Sequence, residues 1–432
     1  MFKMRSGAAL VAVAAAGSLV LAACGGSSSS NSSSGSGSKV LKLWHYEAAD
    51  GAMGVAWNQA IKEFEQSHPG VKVKFELKTF EQLQKTAPMI LNSNDVPDVM
   101  EYNKGNATAG LLAKQNLLTD LTPAVQKYGW DKLLGKSLAT TGQYDAKGVM
   151  GSGKWYGVPN YGEYLMVYYN KDLFDKNGIK VPTSFDEFTQ AMDAFKAKGI
   201  TPLSNAGAEY IAQQYFYQLA LSKADPTWVN NFEQYTGKVN FHDAAWTYAA
   251  NTFADWVKKG YISKTSASLK AEDAGVAFEQ GKYPMLFSGS WWYGRFEKEM
   301  KANWATFQWP GSTLTLGSSG NIWVVPTHSK NKSLAEDFIN ITMQKSVQNT
   351  LGNNGGLPVA ADPSAITDAK SKTLIQNFST VSNNLAFYPD WPVTGFYDVL
   401  VAEVQKLING SATPDKVLSD LQKAYDAGVP TS

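Results

Sequence analysis

The chain has 432 residues, more than one hydrophobic core usually serves, so two domains are expected. Its 44% hydrophobic and 18% charged content is ordinary for a globular protein. A formal net charge of +1 and only two arginines, Arg5 and Arg295, argue against nucleic-acid recognition, which favours guanidinium forks, and against a polybasic membrane patch.

The N-terminus reads as a targeting segment. Lys3 and Arg5 precede an apolar run, residues 8–23, that is short for a membrane-spanning helix. Residues 1–23 are therefore expected to be a signal peptide. Cys24 is the only cysteine, so no intramolecular disulfide can form. A lone cysteine directly after Leu21, Ala22 and Ala23 resembles the bacterial lipobox, in which the thiol is lipidated and becomes the mature N-terminus. Residues 25–38, all Gly, Ser or Asn, cannot pack and read as a flexible tether.

The globular part opens with a strand at "KVLKLWHYE". Val55, Trp57, Ile61 and Phe64 then fall at helical spacing, and "SHPG" stops that helix. In "VKVKFELK", the alternation places Val71, Val73, Phe75 and Leu77 on one face of a second strand. Strand, helix, strand implies a layered α/β domain. Further strands are expected at "PDVMEY", "LMVYYN", "PMLF" and "NIWVVP". Ser184 with Glu187, and Ser333 with Glu336, read as capping boxes before helices. Thr413 and Pro414 open a last helix that Gly428 closes. The glycine-rich "AKGVMGSGKWYG" reads as a joint between two halves. Its Gly148, Gly153 and Lys154 imitate a P-loop, but Trp155 stands where magnesium needs Ser or Thr.

Catalytic signatures are scarce. The histidines His45, His68, His242 and His328 never pair at ligand spacing, so neither a metal nor another cofactor is expected. There is no G-x-S-x-G elbow. Asp and Glu are plentiful enough to leave a glycosidase carboxylate pair open. The unusual stretch is "PMLFSGSWWYG", residues 284–294, where a strand breaks into three consecutive rings, Trp291, Trp292 and Tyr293. Rings at a strand end more often meet something outside the chain than a packed core does.

An ordered set of segments now lines up: "LWHYE", "FEQSHPGVKV", "NDVPDVMEY", "YGVPNYGEYLMVYYNKDLFDKNGI", "VPTSFDEF", "PMLFSGSW", "SKNKSLAEDFINI" and "GLPV". Together they resemble the extracellular solute-binding proteins of bacterial ABC sugar importers, the group that includes maltose- and trehalose/maltose-binding proteins. The resemblance spans nearly all of residues 39–432. It implies two α/β lobes of the periplasmic-binding-protein type around a ligand cleft, with several hinge crossings. By analogy lobe one takes residues 39–150 and 315–360, and lobe two residues 151–314 and 361–432. It implies a non-catalytic, monomeric, lipid-anchored receptor on the extracytoplasmic face of the membrane. Such a receptor closes on a carbohydrate and delivers it to a membrane permease.

The site follows residue by residue from the same resemblance. Trp291 matches a tryptophan that stacks on sugar, and Trp292 is its neighbour. Glu47 matches a carboxylate that binds sugar hydroxyls. Asn103 stands where relatives often carry Asp. Tyr161 and Glu163 match a Tyr and an acid at that spacing. His45 flanks the first strand end. Gly356, after Gly355, suits close approach of backbone to ligand. Near the C-terminus Trp391 and Phe396 compete as a further platform. A flat ring covers the apolar face of a pyranose while carboxylates and amides bind its rim. Two other readings stay open: a secreted polysaccharide-degrading enzyme, and the same receptor fold carrying glycerol phosphates, peptides or metals.

Overall fold

The computed structural model describes residues 39–389 and 392–430. Cys24 and Trp391 lie outside them. The strands, in chain order, are β1 Lys39–His45, β2 Val71–Leu77, β3 Val99–Tyr102, β4 Gln143–Tyr144, β5 Lys154–Trp155, β6 Val158–Pro159 and β7 Tyr161–Asn170, then β8 Leu203–Ser204, β9 Met285–Gly289, β10 Trp304–Phe307, β11 Thr315–Ser319, β12 Ile322–Val324, β13 Leu357–Pro358 and β14 Leu385–Ala386. They form two main sheets with helices packed on them, the two-lobed α/β arrangement of periplasmic binding proteins.

The first sheet runs β2-β1-β3-β12-β6. β1 pairs in parallel with β2 and β3, Leu43 lying opposite Phe75 and Val99. β12 runs antiparallel between β3 and β6. The expected first helix is Ala52–Ser67 and lays Trp57, Ala60 and Phe64 on this sheet. The predicted single face of β2 is only partly buried. Val71 is covered, but Phe75 and Leu77 are 37% and 60% exposed, because β2 is the edge strand and no neighbour covers its far end.

The second sheet runs β14-β11-β7-β9-β8, with β10 and β13 also pairing β7. β7 is its spine, and all ten of its residues are buried. That explains its near-continuous apolar and aromatic composition.

Strand partners locate the crossings between the sheets. The chain passes from β6 to β7 at Asn160, from β11 to β12 at Gly320 and Asn321, and returns to β13 after Gly355 and Gly356. Residues 158–159, assigned by analogy to lobe two, thus pair in the first sheet through Trp323 and Val158. Residues 315–319 and 357–358, assigned to lobe one, pair β7 through Gly317 with Tyr164 and Leu357 with Gly162. The expected joint at residues 146–157 is a hairpin closed by β4 and β5, just before the first crossing. Its Lys154 pairs with Asp120 at 2.9 Å.

Two of the three helix starts are as read. Ser184 accepts from Glu187 N at 3.2 Å, and Thr413 accepts from Lys416 N at 3.3 Å. The third differs. That helix is Lys332–Thr342, two residues earlier than expected, and Asn331 occupies its cap position. Asn331 makes no cap bond because its amide is turned to Val40 O and Asp98 Oδ2, tying the loop to β1.

Trp57 is fully buried and meets Trp323 edge-on at 5.5 Å and Tyr161 at 6.0 Å. Trp57→Ala is expected to lower unfolding free energy by about 3–5 kcal/mol. Chemical denaturation of the variant and the parent would measure it.

Candidate functional site

A cavity of about 230 Å³ opens where the carboxyl ends of β1 and β3 face β7 and the turn after β9. Crevices beyond the carboxyl ends of strands are where open α/β sheets bind ligands. Tyr46 and Glu47 follow β1, and Asn103 and Lys104 follow β3. Tyr161 and Glu163 come from β7, Tyr210 and Gln214 from the helix Tyr210–Leu221, and Trp291 and Trp292 from the turn Ser290–Trp292.

The three consecutive rings have three fates. Trp291 faces the cavity, with Tyr210 edge-on at 5.7 Å. Its ring lies so close to Gly289 that a Cβ there would stand 1.8 Å from it, so only glycine permits this placement. Trp292 borders the cavity but is 5% exposed, parallel to Phe296 at 5.6 Å and pressed on Gly275. Tyr293 is core, against Trp304 at 4.9 Å. A short 3₁₀ turn at the strand end separates the three directions.

The polar side of the cavity centres on Tyr161. Its hydroxyl lies 3.2 Å from Glu47 Oε1 and 3.3 Å from Glu101 Oε1, and accepts from Asn321 N at 3.0 Å. A Cβ on Gly320 would come within 1.9 Å of the Tyr161 ring, so the ring rests directly on the second crossing. Lys104 is ion-paired with Glu163, both deeply buried, and also lies 4.8 Å over the Tyr388 ring. Arg295 is shared between Glu279 at 2.9 Å and Glu272 at 2.7 Å. Burial, and then repulsion from Glu163, pushes the Glu47 carboxyl up to about 7. Burial and the neighbouring Glu47 hold Glu101 well above the usual carboxylate range.

Of the residues expected at the site, Glu47, Asn103, Tyr161, Glu163, Trp291 and Trp292 come together around the cavity. Three others do not line it. His45 is buried, stacked on Phe75 at 4.1 Å, with Nδ1 accepting from Glu47 N at 3.2 Å. Phe396 sits in the core near Phe232 and Phe241. Gly356 is pressed on Leu351, whose backbone oxygen accepts its N–H. His45 and Phe396 adjoin the cavity-lining Tyr46 and Tyr397 in the chain but turn their own side chains inward, and Gly356 lies far in sequence from any lining residue. Tyr210, Lys104, Arg295, Tyr388, Tyr397 and Phe80 also line the cavity and were not anticipated. Lys104 adjoins Asn103, which was a signal. Tyr210 opens a helix with no marker of its own.

With this geometry in place, the relatives can be compared. A sequence profile of the bacterial extracellular solute-binding proteins matches residues 48–342. The chain belongs to that family. This solute-binding protein is 23% identical over 340 residues to a probable sugar-binding periplasmic protein of Rhizobium meliloti, covering 73% of this chain and 77% of that one. It is 26% identical over 338 residues to the multiple sugar-binding protein of Streptococcus mutans, covering 71% and 72%. Among solved structures, a chitin oligosaccharide binding protein matches with TM-score 0.76 at 24% identity over 90% of this chain and 99% of that one. The GacH receptor of Streptomyces glaucescens, solved free and with acarbose, matches with TM-score 0.73 at 22% identity over 90% and 98%. These likenesses establish the solute-binding protein's fold.

The buried His45 generates a pH dependence. Desolvation lowers its ionisation from 6.5 to about 3. The unfolded chain therefore takes up a proton that the folded site refuses, so stability falls as pH drops from 6.5 towards 3. Relative to His45→Gln, the parent should lose about 2 kcal/mol between neutrality and pH 5, by denaturant titration at each pH.

Proposed function

We propose that this protein is the lipid-anchored substrate-binding component of an ABC importer, capturing a carbohydrate of two or more rings on the extracytoplasmic face. The observation that carries the reading is one cavity with two kinds of wall. Trp291 offers a flat apolar ring, while Glu47, Asn103 and Tyr161 offer hydrogen-bonding groups. A pyranose needs both, an apolar face and a polar rim. Relatives named for sugar binding point the same way.

Charge bookkeeping favours a neutral ligand. Both cations at the cavity are committed to acids, Lys104 to Glu163 and Arg295 to Glu272 and Glu279. A phosphorylated solute would have to break one of these pairs. The enzyme reading loses ground for a related reason. A glycosidase holds two carboxyl groups apart, flanking the scissile bond. Here Glu163 is held by Lys104, and Glu47 shares the Tyr161 hydroxyl with Glu101.

In this reading the lobes are residues 39–159 with 321–354, and 161–319 with 357–430, and they close about the three crossings. Contacts across the mouth fit a closed state. Tyr397 donates to Glu81 at 2.5 Å, and Lys298 Nζ donates to Asp50 O at 3.0 Å. Lipidation of Cys24, delivery to a permease and a monomeric state complete the proposal. Among the described residues no helix is long and apolar enough to cross a membrane.

A thermal-shift screen of residues 39–432 against mono-, di- and oligosaccharides tests the reading. A ligand that binds only the folded state raises the melting temperature by mass action. One glycan class should do so, and no shift across a broad panel would overturn the carbohydrate assignment. With that sugar, Trp291→Ala is expected to weaken binding about tenfold or more, about 1.4 kcal/mol. An unchanged dissociation constant in calorimetry would remove Trp291 as the platform.

A further inference from the structure

Binding the rim of a neutral sugar does not explain why a second acid stands behind Glu47. Glu101, on β3, is 1% exposed and does not line the cavity. The Tyr161 hydroxyl is near one oxygen of each acid and already accepts from Asn321 N. A hydroxyl has one hydrogen, so it can donate to only one acid at a time. Glu101 Oε2 meets no N–H or O–H donor. Both acids meet the one Tyr161 hydroxyl, at 3.2 Å and 3.3 Å, so their carboxyl groups stand side by side. Ionised carboxylates only accept, so a bond between them requires a proton.

No cation substitutes for that proton. Lys104, which acts on Glu47, is bonded to Glu163. The other titratable groups facing the pair are Tyr46 after β1 and Glu163 on β7. Helix Ala52–Ser67 packs on Tyr161 through Trp57, and its residues 52–60 include no ionisable side chain. The pair also sits at the hinge, because Tyr161 follows the first crossing and Asn321 belongs to the second.

We propose that Glu101 is a positioning residue that retains a proton shared with Glu47, holding Glu47 towards the ligand as an acceptor and Tyr161 over the hinge. The proposal rests on reading the cavity as the ligand site. Because Glu47 ionises near pH 7, it becomes a charged and stronger acceptor for a ligand hydroxyl as pH rises through that value. Affinity should therefore increase with pH. In Glu101→Gln, the amide can still donate to Glu47 and accept from Tyr161, but it has no acidic proton. Glu47 therefore keeps its donor, and its dependence on pH stays close to that of the parent. Glu101→Leu keeps neither bond.

The test combines calorimetry and infrared spectroscopy on the parent, Glu101→Gln and Glu101→Leu. With the sugar found in the screen, parent affinity should rise about tenfold between about pH 5.5 and 8.5, and Glu101→Gln should stay within about threefold of the parent at each pH. Glu101→Leu should bind more weakly throughout. In the ligand-free parent, infrared difference spectra at about pH 8.5, where Glu47 is ionised, should show a buried protonated carboxyl band that Glu101→Gln lacks. Binding by Glu101→Leu as tight as the parent's, or no such band, would overturn the proposal. If no sugar binds, the carbohydrate reading falls, while the infrared comparison still decides whether Glu101 holds the proton. That comparison needs only the conservative variant, so it survives misfolding of Glu101→Leu.

Discussion

The hydroxyl of Tyr161 joins the ends of β1 and β3, the start of β7 and the crossing at Asn321. It reaches acids held by the ends of β1 and β3 while accepting a backbone N–H from the chain crossing at Asn321. Its ring, resting on Gly320 and against Trp57, anchors that hydroxyl in the core of the first sheet. Tyr161 is also the first residue of β7, the spine of the second sheet. One side chain thus fixes where the two sheets meet and where the polar wall of the cavity stands.

Burying so many ionisable groups in one place is costly unless each has a partner. The cavity meets that constraint by pairing Lys104 with Glu163 and Arg295 with two acids. Glu47 and Glu101 have no such cation, and burial, with repulsion from Glu163 on Glu47 and from Glu47 on Glu101, favours their protonated forms. The polar wall is therefore close to neutral. It can offer hydrogen bonds to hydroxyls without selecting for a charged solute.

The apolar wall depends on backbone space. Trp291 folds over Gly289, and Trp292 presses on Gly275 in the layer behind. Trp292 and Phe296 stack nearly parallel at 9°, while Tyr210 meets the half-buried Trp291 ring edge-on. Side chains locked by packing hold a binding surface in place more reliably than loop residues do.

The sequence by itself determined the α/β class, the main strands, and several members of the site. Alternation, helical spacing and caps are local signals, and they marked β1, β3, β7, β9 and the helix Phe185–Ala197 directly. The run of rings after β9 marked the cavity because a strand end cannot bury three of them in one direction. What sequence could not decide were questions of partnership. Residues 315–319 look no different whether they pair with β7 or with the first sheet, and only hydrogen-bond register assigns them. His45 and Glu47 are two residues apart, yet one stacks on Phe75 and the other faces the cavity. Glu101 reads as an ordinary strand residue until β3, β7 and the crossing at Asn321 bring it to Tyr161. Those contacts join residues far apart in the chain, and no local pattern encodes them, so tertiary structure alone made Glu101 part of the site.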